Sequence, residues 1–180
     1  MNGLGNSPRR QDALGNIIVI STDRHRQELA NNMAYEDARE CYDFGVSPYQ
    51  ALKYSAERPG LMRTVLRGPF DVNNRGKVVG CFGVSIHSPD DAAVWSLWRQ
   101  DMTAADSLFV MKNTAPQLLD MFERLHLEES QNFISLENRR SINWIDATGA
   151  FTWGPDTLIN ERIYRSFKTS RELLQQCADR

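Results

Sequence analysis

Two carboxylates three residues apart, Asp37 and Glu40, are candidates for a general base. They fall within residues 23–44, where apolar side chains recur at three- and four-residue steps, so a helix would present both on one side. Asp91, next to a predicted turn, is a third candidate. Helical carboxylates at this spacing usually belong to a solvated face without a chemical role. The sequence therefore favours a solvated helix face for Asp37 and Glu40 and leaves catalysis as the alternative.

Histidine and cysteine, the usual transition-metal ligands, form no recognised ligand pattern in this chain. The histidines are not at ligand spacing from cysteine, aspartate or glutamate, and the cysteines are odd in number with no Cys-x-x-Cys pair. We expect no metal site and three reduced thiols, most simply small core side chains in a cytosolic setting. The residues concerned are His25, His87, His126, Cys41, Cys81 and Cys177.

Length and charge restrict the class of protein. A chain of 180 residues is expected to form one domain with short tails and a substantial core. Because 21 basic side chains face 23 acidic ones, the chain lacks the basic excess typical of nucleic-acid binders. It also lacks a run of about 18 apolar residues that would predict a membrane span, and an N-terminal apolar segment that would predict a signal peptide.

Residues 131–154 organise the prediction of secondary structure, because they encode a strand, a short helix and a second strand with almost no linker. Alternating polarity predicts the first strand at residues 132–136. Asn138 follows as a helix N-cap, and Ile142 and Ile145 lie at helical spacing behind it. Gly149 stands where a left-handed residue would end the helix.

The remaining pattern predicts strands and helices on both sides of that unit. A helix over residues 103–125 contains Pro116, which should kink or divide it. Gly80 and Gly83, inside one predicted strand, indicate a bulge or a close approach of the backbone. The predicted strands are 17–20, 64–66, 78–86, 92–98 and 163–167, and the other helices are 23–44, a short one after Ser47, and 169–178. The turn between the second and third strands is assigned to Asn73, Asn74 and Gly76.

This order of elements resembles that of the GNAT acyltransferases. Four segments resemble, more narrowly, the family of GNAT-like internal virion proteins, also named as acetyltransferases, of short-tailed (podovirus) phages. The segments are HRQELANNMAYEDARECYDFGVSPYQALKYS, VVGCFGVS, VWSLW and NFISLENRRSINWIDATGAF. The resemblance implies an α+β, GNAT-like (acyl-CoA N-acyltransferase-like) fold with a central, mostly antiparallel mixed sheet and helices on both faces.

The resemblance also implies where coenzyme A would bind. In the family, a basic, glycine-rich loop after the fourth strand surrounds the diphosphate, because a Cβ would block close approach of the backbone. The corresponding residues 99–106, RQDMTAAD, contain no glycine. Arg99 is suited to contact a phosphate, but Asp101 and Asp106 add negative charge nearby. We therefore expect no cofactor-binding residues, and acetyl-CoA only if the chain is an enzyme.

Many members of the family carry a tyrosine four residues before the corner glycine, as a general acid for the leaving thiolate. Here that position is Ile145, which cannot transfer a proton. Tyr164 and Glu137 are possible substitutes, although a lone tyrosine or glutamate on a strand is more often structural. No catalytic residue is expected on this basis.

The sequence therefore favours a virion structural or assembly protein, internal or core-associated, that keeps a GNAT-like fold without acyl-CoA catalysis. The alternative is an active N-acetyltransferase that uses acetyl-CoA. In the favoured case residues 1–16 form a flexible arm, residues 17–168 the GNAT-like domain and residues 169–180 a C-terminal helix or tail. The partners would be other virion proteins in an oligomeric assembly, reached by the arm and the C-terminal helix. The protein would be made in the host cytoplasm and reside in the virion.

Overall fold

The strands and helices follow one another in the order expected from the sequence, except that residues 23–44 form two helices. A computed structural model describes residues 15–70, 76–88 and 91–180. The strands in these ranges are β1 (Asn16–Ile20), β2 (Gly60–Arg67), β3 (Lys77–Ser88), β4 (Asp91–Trp98), β5 (Glu129–Ser135), β6 (Thr152–Ile159) and β7 (Arg162–Ser170). The helices are α1 (Asp23–Ala30), α2 (Tyr35–Asp43), α3 (Pro48–Glu57), α4 (Ala104–Leu125), α5 (Arg139–Thr148) and α6 (Arg171–Ala178). The expected turn residues Asn73 and Asn74 lie outside the described ranges.

The strands form two antiparallel sheets. One sheet has the order β1-β2-β3-β4 and the other has the order β5-β7-β6, and no ladder joins them among the described residues. β4 and β5 nevertheless lie against each other, since Asn132 Nδ2 on β5 donates to the Val94 carbonyl on β4 at 2.9 Å. The α+β fold is thus confirmed, but the single mixed sheet expected from the sequence is two antiparallel sheets whose facing edge strands separate.

Helices cover both faces, and each face has its own apolar core. The larger core joins the sheets to α4, α5 and α6, through side chains such as Phe122, Ile145 and Leu174. The smaller core joins the first sheet to α1, α2 and α3, through side chains such as Leu29 and Leu52. Burial of such large side chains is the main contribution to stability.

The predicted helix at residues 23–44 is wrong in one respect, because it is two helices. Between α1 and α2, Met33 forms an isolated bridge with Arg99, and the Ala34 amide donates to the Trp98 carbonyl at 2.8 Å. The backbone between α1 and α2 therefore hydrogen-bonds to the end of β4. A continuous helix would require the same amide for its own hydrogen bonds. This break fixes the first turn of α2 against β4.

Several local predictions are confirmed. Asn138 caps α5 by accepting from the Ser141 amide at 3.2 Å, and Gly149 ends that helix at φ 62°. A Cβ on Gly80 would lie 2.1 Å from the Trp98 ring, and the β2–β3 register shifts beside it, so this glycine marks both a close approach and a bulge. Pro116 does not divide α4, which continues through it.

The two ends of the chain differ in how much the structure describes. Residues 1–14 of the predicted arm lie outside the described ranges, and Asn16 already belongs to β1. At the other end Ser170 caps α6, and Leu174 is fully buried in the larger core. Of the helices described, none has the length and apolarity needed to cross a membrane.

Candidate functional site

A cavity of about 460 Å³ lies where β4 and β5 separate. Most of β4 and the middle of β5 form its walls, and residues of α2, α3, α4, α5 and β3 contribute most of the remainder. Its lining is mainly apolar and aromatic, as in most small-molecule sites. The charged and titratable lining includes Asp37, Glu40, Arg58 and His87, and the polar lining includes Asn138, Ser85, Ser96 and Asn132.

The two carboxylates of α2 meet at this cavity. Asn138 Nδ2 donates to Asp37 Oδ1 at 2.9 Å and to Glu40 Oε1 at 3.1 Å. The Trp98 amide donates to Asp37 Oδ2 at 2.7 Å, and the Ser135 amide donates to Glu40 Oε1 at 3.1 Å. The cluster therefore connects α2 with the ends of β4 and β5 and with the start of α5.

Burial changes the proton affinity of both groups. Asp37 is 1% exposed, and this burial raises its pKa against the opposing effect of its hydrogen bonds. The pKa of Glu40 is raised to about 7, first by burial and then by the nearby Asp37 charge. Arg140 Nη2 lies 3.7 Å from Asp37 Oδ2 and is the cation paired with this cluster. The solvated-face interpretation of Asp37 and Glu40 is wrong, because both carboxylates bond to groups on β4, β5 and α5 and Asp37 is buried.

Asn138 has a second function that the sequence did not reveal. Its Oδ1 atom caps α5, while its Nδ2 atom holds the two carboxylates. An N-cap can be Ser, Thr, Asp or Asn, but only Asn among these both accepts and offers two strong N–H donors. The choice of Asn rather than Ser, Thr or Asp at the cap was the signal in the sequence that could have predicted this second function.

The loop expected to meet a phosphate is occupied by the chain's own charges. Arg99 Nε donates to Asp101 Oδ1 at 2.7 Å, and its other nitrogens reach Glu28 Oε1 at 3.4 Å and Asn32 Oδ1 at 3.1 Å. Lys77 pairs with Asp101 as well. The guanidinium of Arg99 is thus committed to protein acceptors.

At the N-terminus of α4, two amides are already hydrogen-bonded within the chain. The Thr103 amide donates to Asp106 Oδ2 at 2.8 Å, and the Asp106 amide donates to Thr103 Oγ1 at 3.2 Å, which is a reciprocal capping box. Arg67 pairs with Asp106, which is 0% exposed. The turn offers a buried carboxylate where an anion would need free N–H groups, and the sequence has no glycine between Gly83 and Gly149. These residues do not fit the diphosphate of coenzyme A.

The other candidates do not assemble into a catalytic set. Ile145 is buried and lines the cavity. Tyr164 is fully buried and donates to Asp43 Oδ2 at 2.9 Å, and burial raises the pKa of its phenol. Glu137 pairs with Arg39 at the surface, and Asp91 is exposed at the start of β4.

The cysteines are free thiols. Cys41 and Cys81 are buried, as expected for core side chains. Burial raises the pKa of Cys41 to about 12 and that of Cys81 to about 11, so neither forms an appreciable thiolate at neutral pH.

Comparison with known proteins supports the fold. No protein-family model matches the sequence, and no curated protein matches it. Among solved structures, the acetyltransferase (GNAT family) from Bacillus anthracis superposes with a TM-score of 0.62 at 10% identity, over 93% of this chain and 98% of that one. The spermidine N-acetyltransferase from Vibrio cholerae in complex with CoA and spermine gives 0.62 at 11%, over 89% and 98%. A GCN5-related N-acetyltransferase from Brucella melitensis gives 0.61 at 12%, over 96% and 86%. The chain therefore has a GNAT-like fold, and these identities carry no conclusion about activity.

Proposed function

We propose that this protein is a structural or assembly component of a bacteriophage particle, with a GNAT fold that has lost acyl-CoA catalysis. One observation supports the loss of acyl-CoA catalysis. Asp106 and Thr103 hydrogen-bond to each other at the N-terminus of α4, where a diphosphate would need free N–H donors. The virion assignment rests on the resemblance of four sequence segments to phage internal virion proteins. In this proposal the protein is made in the host cytoplasm and assembles with other virion proteins.

Electrostatics supports the loss of diphosphate binding. A diphosphate at α4 would approach the buried Asp106 and, at Arg99, the exposed Asp101. Arg67 and Arg99 already neutralise these carboxylates, so the two arginines offer little net attraction to a new anion.

Calorimetric titration with acetyl-CoA tests the loss of the cofactor site. We expect no binding at millimolar acetyl-CoA, and no rise in the melting temperature. For comparison, a ligand at 100 times its Kd would add about 2.7 kcal/mol to the free energy of unfolding. Micromolar binding that Arg99→Ala weakens would refute the proposal.

Mass spectrometry of purified particles tests the virion assignment. We expect the protein in gradient-purified particles from infected cells, at a constant ratio to the capsid protein. Its presence in the infected cell together with its absence from the particles would refute a virion role. We assign contacts with neighbouring virion proteins to residues 1–16 and to α6, whose polar side faces outward.

The second candidate function is N-acetyl transfer from acetyl-CoA to an amine, and Glu40 is the observation that favours it. A carboxylate with a pKa of about 7 at a cavity between separating strands has the proton affinity of a general base at neutral pH. Acetylation of spermidine, the substrate named for a structural neighbour, provides the assay. Under this candidate Glu40→Gln abolishes turnover and Glu137→Gln, at the surface, preserves it.

A further inference from the structure

β1 is the outer strand of the first sheet, and part of its backbone points away from β2, its described neighbour. The Ser21 amide, just after β1, donates to the Met62 carbonyl of β2 at 3.4 Å, and the Gly15 carbonyl, just before β1, accepts from the residue after β2 at 3.1 Å. Backbone groups alternate between the two sides of an antiparallel strand, so those of Ile18 and Ile20 point outward. Among the described residues, none hydrogen-bonds to the backbone of either. β1 therefore presents donors and acceptors to a further strand.

β1 lacks the features that normally protect the edge of a sheet. Soluble proteins interrupt such edges with proline, charged side chains or bulges, because unpaired strand groups recruit another chain. On β6, the outer strand of the second sheet, Pro155 and a register shift between Trp153 and Asp156 provide this protection. β1 contains no proline and no charged side chain, and its register with β2 is regular throughout. Its edge is therefore suited to pairing with a strand.

The helices near this edge lie over the neighbouring strands and leave β1 accessible. On one face, Glu28 of α1 accepts from the Val78 amide of β3 at 2.9 Å. On the other face, Asp120 of α4 pairs with Arg63 of β2. Ile20 is 80% exposed, more than any other large apolar side chain among the described residues. Burial of this side chain against a partner would stabilise a complex.

The outward side of β1 is complementary to itself. In an antiparallel pair of two β1 strands with Ile18 at the two-fold axis, the Ile18 amide of each copy donates to the Ile18 carbonyl of the other. Because β1 has no charged side chain, the pairing brings no like charges together, and its β-branched side chains suit cross-strand contacts. A two-fold contact uses the same surface on both copies. A second copy of this chain is therefore the occupant that fits the edge.

The chain before β1 is placed to add contact area to this pairing. In the antiparallel arrangement, the Gly15 end of one strand lies next to the partner's Ile20. Residues 1–14 join each copy at Gly15, and a segment of this length can extend over about 46 Å. A pair of five-residue strands alone is smaller than the roughly 800 Å² per partner of a standard stable interface. Contacts of residues 1–14 with the partner would supply the remainder.

We infer that two copies of this chain pair antiparallel along β1, with Ile18 at the two-fold axis, and form one continuous sheet of eight strands, four from each copy. The new ladder takes up the outward backbone groups of β1 and buries Ile20 against the partner. This self-association is a property of the purified chain, so it stands apart from both the proposed virion role and acetyl-CoA binding.

Sedimentation velocity of the full chain tests the dimer. Between about 1 μM and about 1 mM protein, we expect a monomer–dimer equilibrium with a Kd on the order of 10–100 μM, as suits a small interface. Ile20→Lys should raise this Kd at least about tenfold, because a charged side chain at a sheet edge opposes pairing. Leu158→Lys, at a side chain that is 70% exposed on β6, makes the same chemical change away from β1 and should leave the Kd unchanged.

Ile20→Pro tests the backbone ladder itself. The Ile20 amide points away from β2, so proline at this position removes a donor that only the dimer uses and spares the β1–β2 ladder. We expect a loss of dimer similar to that of Ile20→Lys, with a melting temperature close to that of the wild type. A chain that stays monomeric at about 1 mM, or a dimer that both Ile20 variants leave intact, would overturn the inference.

Amide hydrogen exchange measured by NMR locates the contact. The amides of Ile17 and Val19 face β2 and should be protected at every concentration, whereas those of Ile18 and Ile20 should become protected only as the dimer forms. Protection of Ile18 and Ile20 at every concentration would show that residues 1–14 of the same chain cover the edge, and would contradict a second copy. Dimerisation without their protection would place the contact on another surface and would contradict β1 pairing.

Discussion

Glu40→Gln should stabilise the protein at alkaline pH and reduce the dependence of its stability on pH. In the folded chain the pKa of Glu40 is raised from 4.5 to about 7, first by burial and second by Asp37. The folded state then binds this proton more tightly than the unfolded chain between these pH values. The contribution of protonated Glu40 to the free energy of unfolding is fully present below pH 4.5 and is lost as the pH rises through 7. At pH 8 an ionised Glu40 therefore costs the folded state about 3 kcal/mol.

Glutamine removes that cost because it does not ionise, and its side-chain oxygen can still accept from Asn138 and Ser135. We expect the free energy of unfolding of Glu40→Gln to exceed that of the wild type by about 1–3 kcal/mol at pH 8, and the difference to shrink or reverse at pH 5. Urea denaturation at pH 5, 6, 7 and 8 measures both. Glu137→Gln is the control, since it removes a carboxylate outside the cluster.

Two results would contradict this reasoning. If the wild type and Glu40→Gln lose stability in parallel from pH 5 to pH 8, Glu40 does not titrate in this range. If Glu40→Gln is destabilised by the same amount at every pH, the carboxylate contributes a hydrogen bond rather than a charge cost. The difference between variant and wild type is the decisive quantity, because the other acidic residues contribute equally to both curves.

Other substitutions test the surrounding structure, each by urea denaturation at fixed pH. Asn138→Ala should cost about 2–4 kcal/mol, because it removes a helix cap and the amide shared by two buried carboxylates; a loss below about 0.5 kcal/mol would contradict that double role. Asp106→Ala should cost about 3 kcal/mol, since it removes the α4 capping box and leaves Arg67 without its buried partner. A stability equal to that of the wild type would show that the ion pair only offsets its own desolvation. Leu174→Ala should lower the free energy of unfolding by about 3 kcal/mol, because the Leu174 side chain of α6 is fully buried. A change near zero would show that α6 is not part of the cooperative unit.

Local sequence signals predicted much of the architecture. Periodicity gave the number and order of strands, and residue chemistry gave the Asn138 cap and the Gly149 stop, because these depend on neighbours within a few residues. The predicted helix at residues 23–44 failed at Ala34, whose amide bonds to Trp98 far along the chain. A contact over such a sequence distance leaves no periodic signal.

Sequence and tertiary structure each decided part of the candidate site. The sequence by itself determined the order of elements, the absence of glycine from residues 99–106 and the presence of isoleucine at position 145, because these follow from residue identity. Only the tertiary structure decided that Asp37 and Glu40 are directed inward against Asn138, and that Asp106 fills the N-terminus of α4. Burial and distance set the energy of a charge, and both exist only once distant segments have packed together.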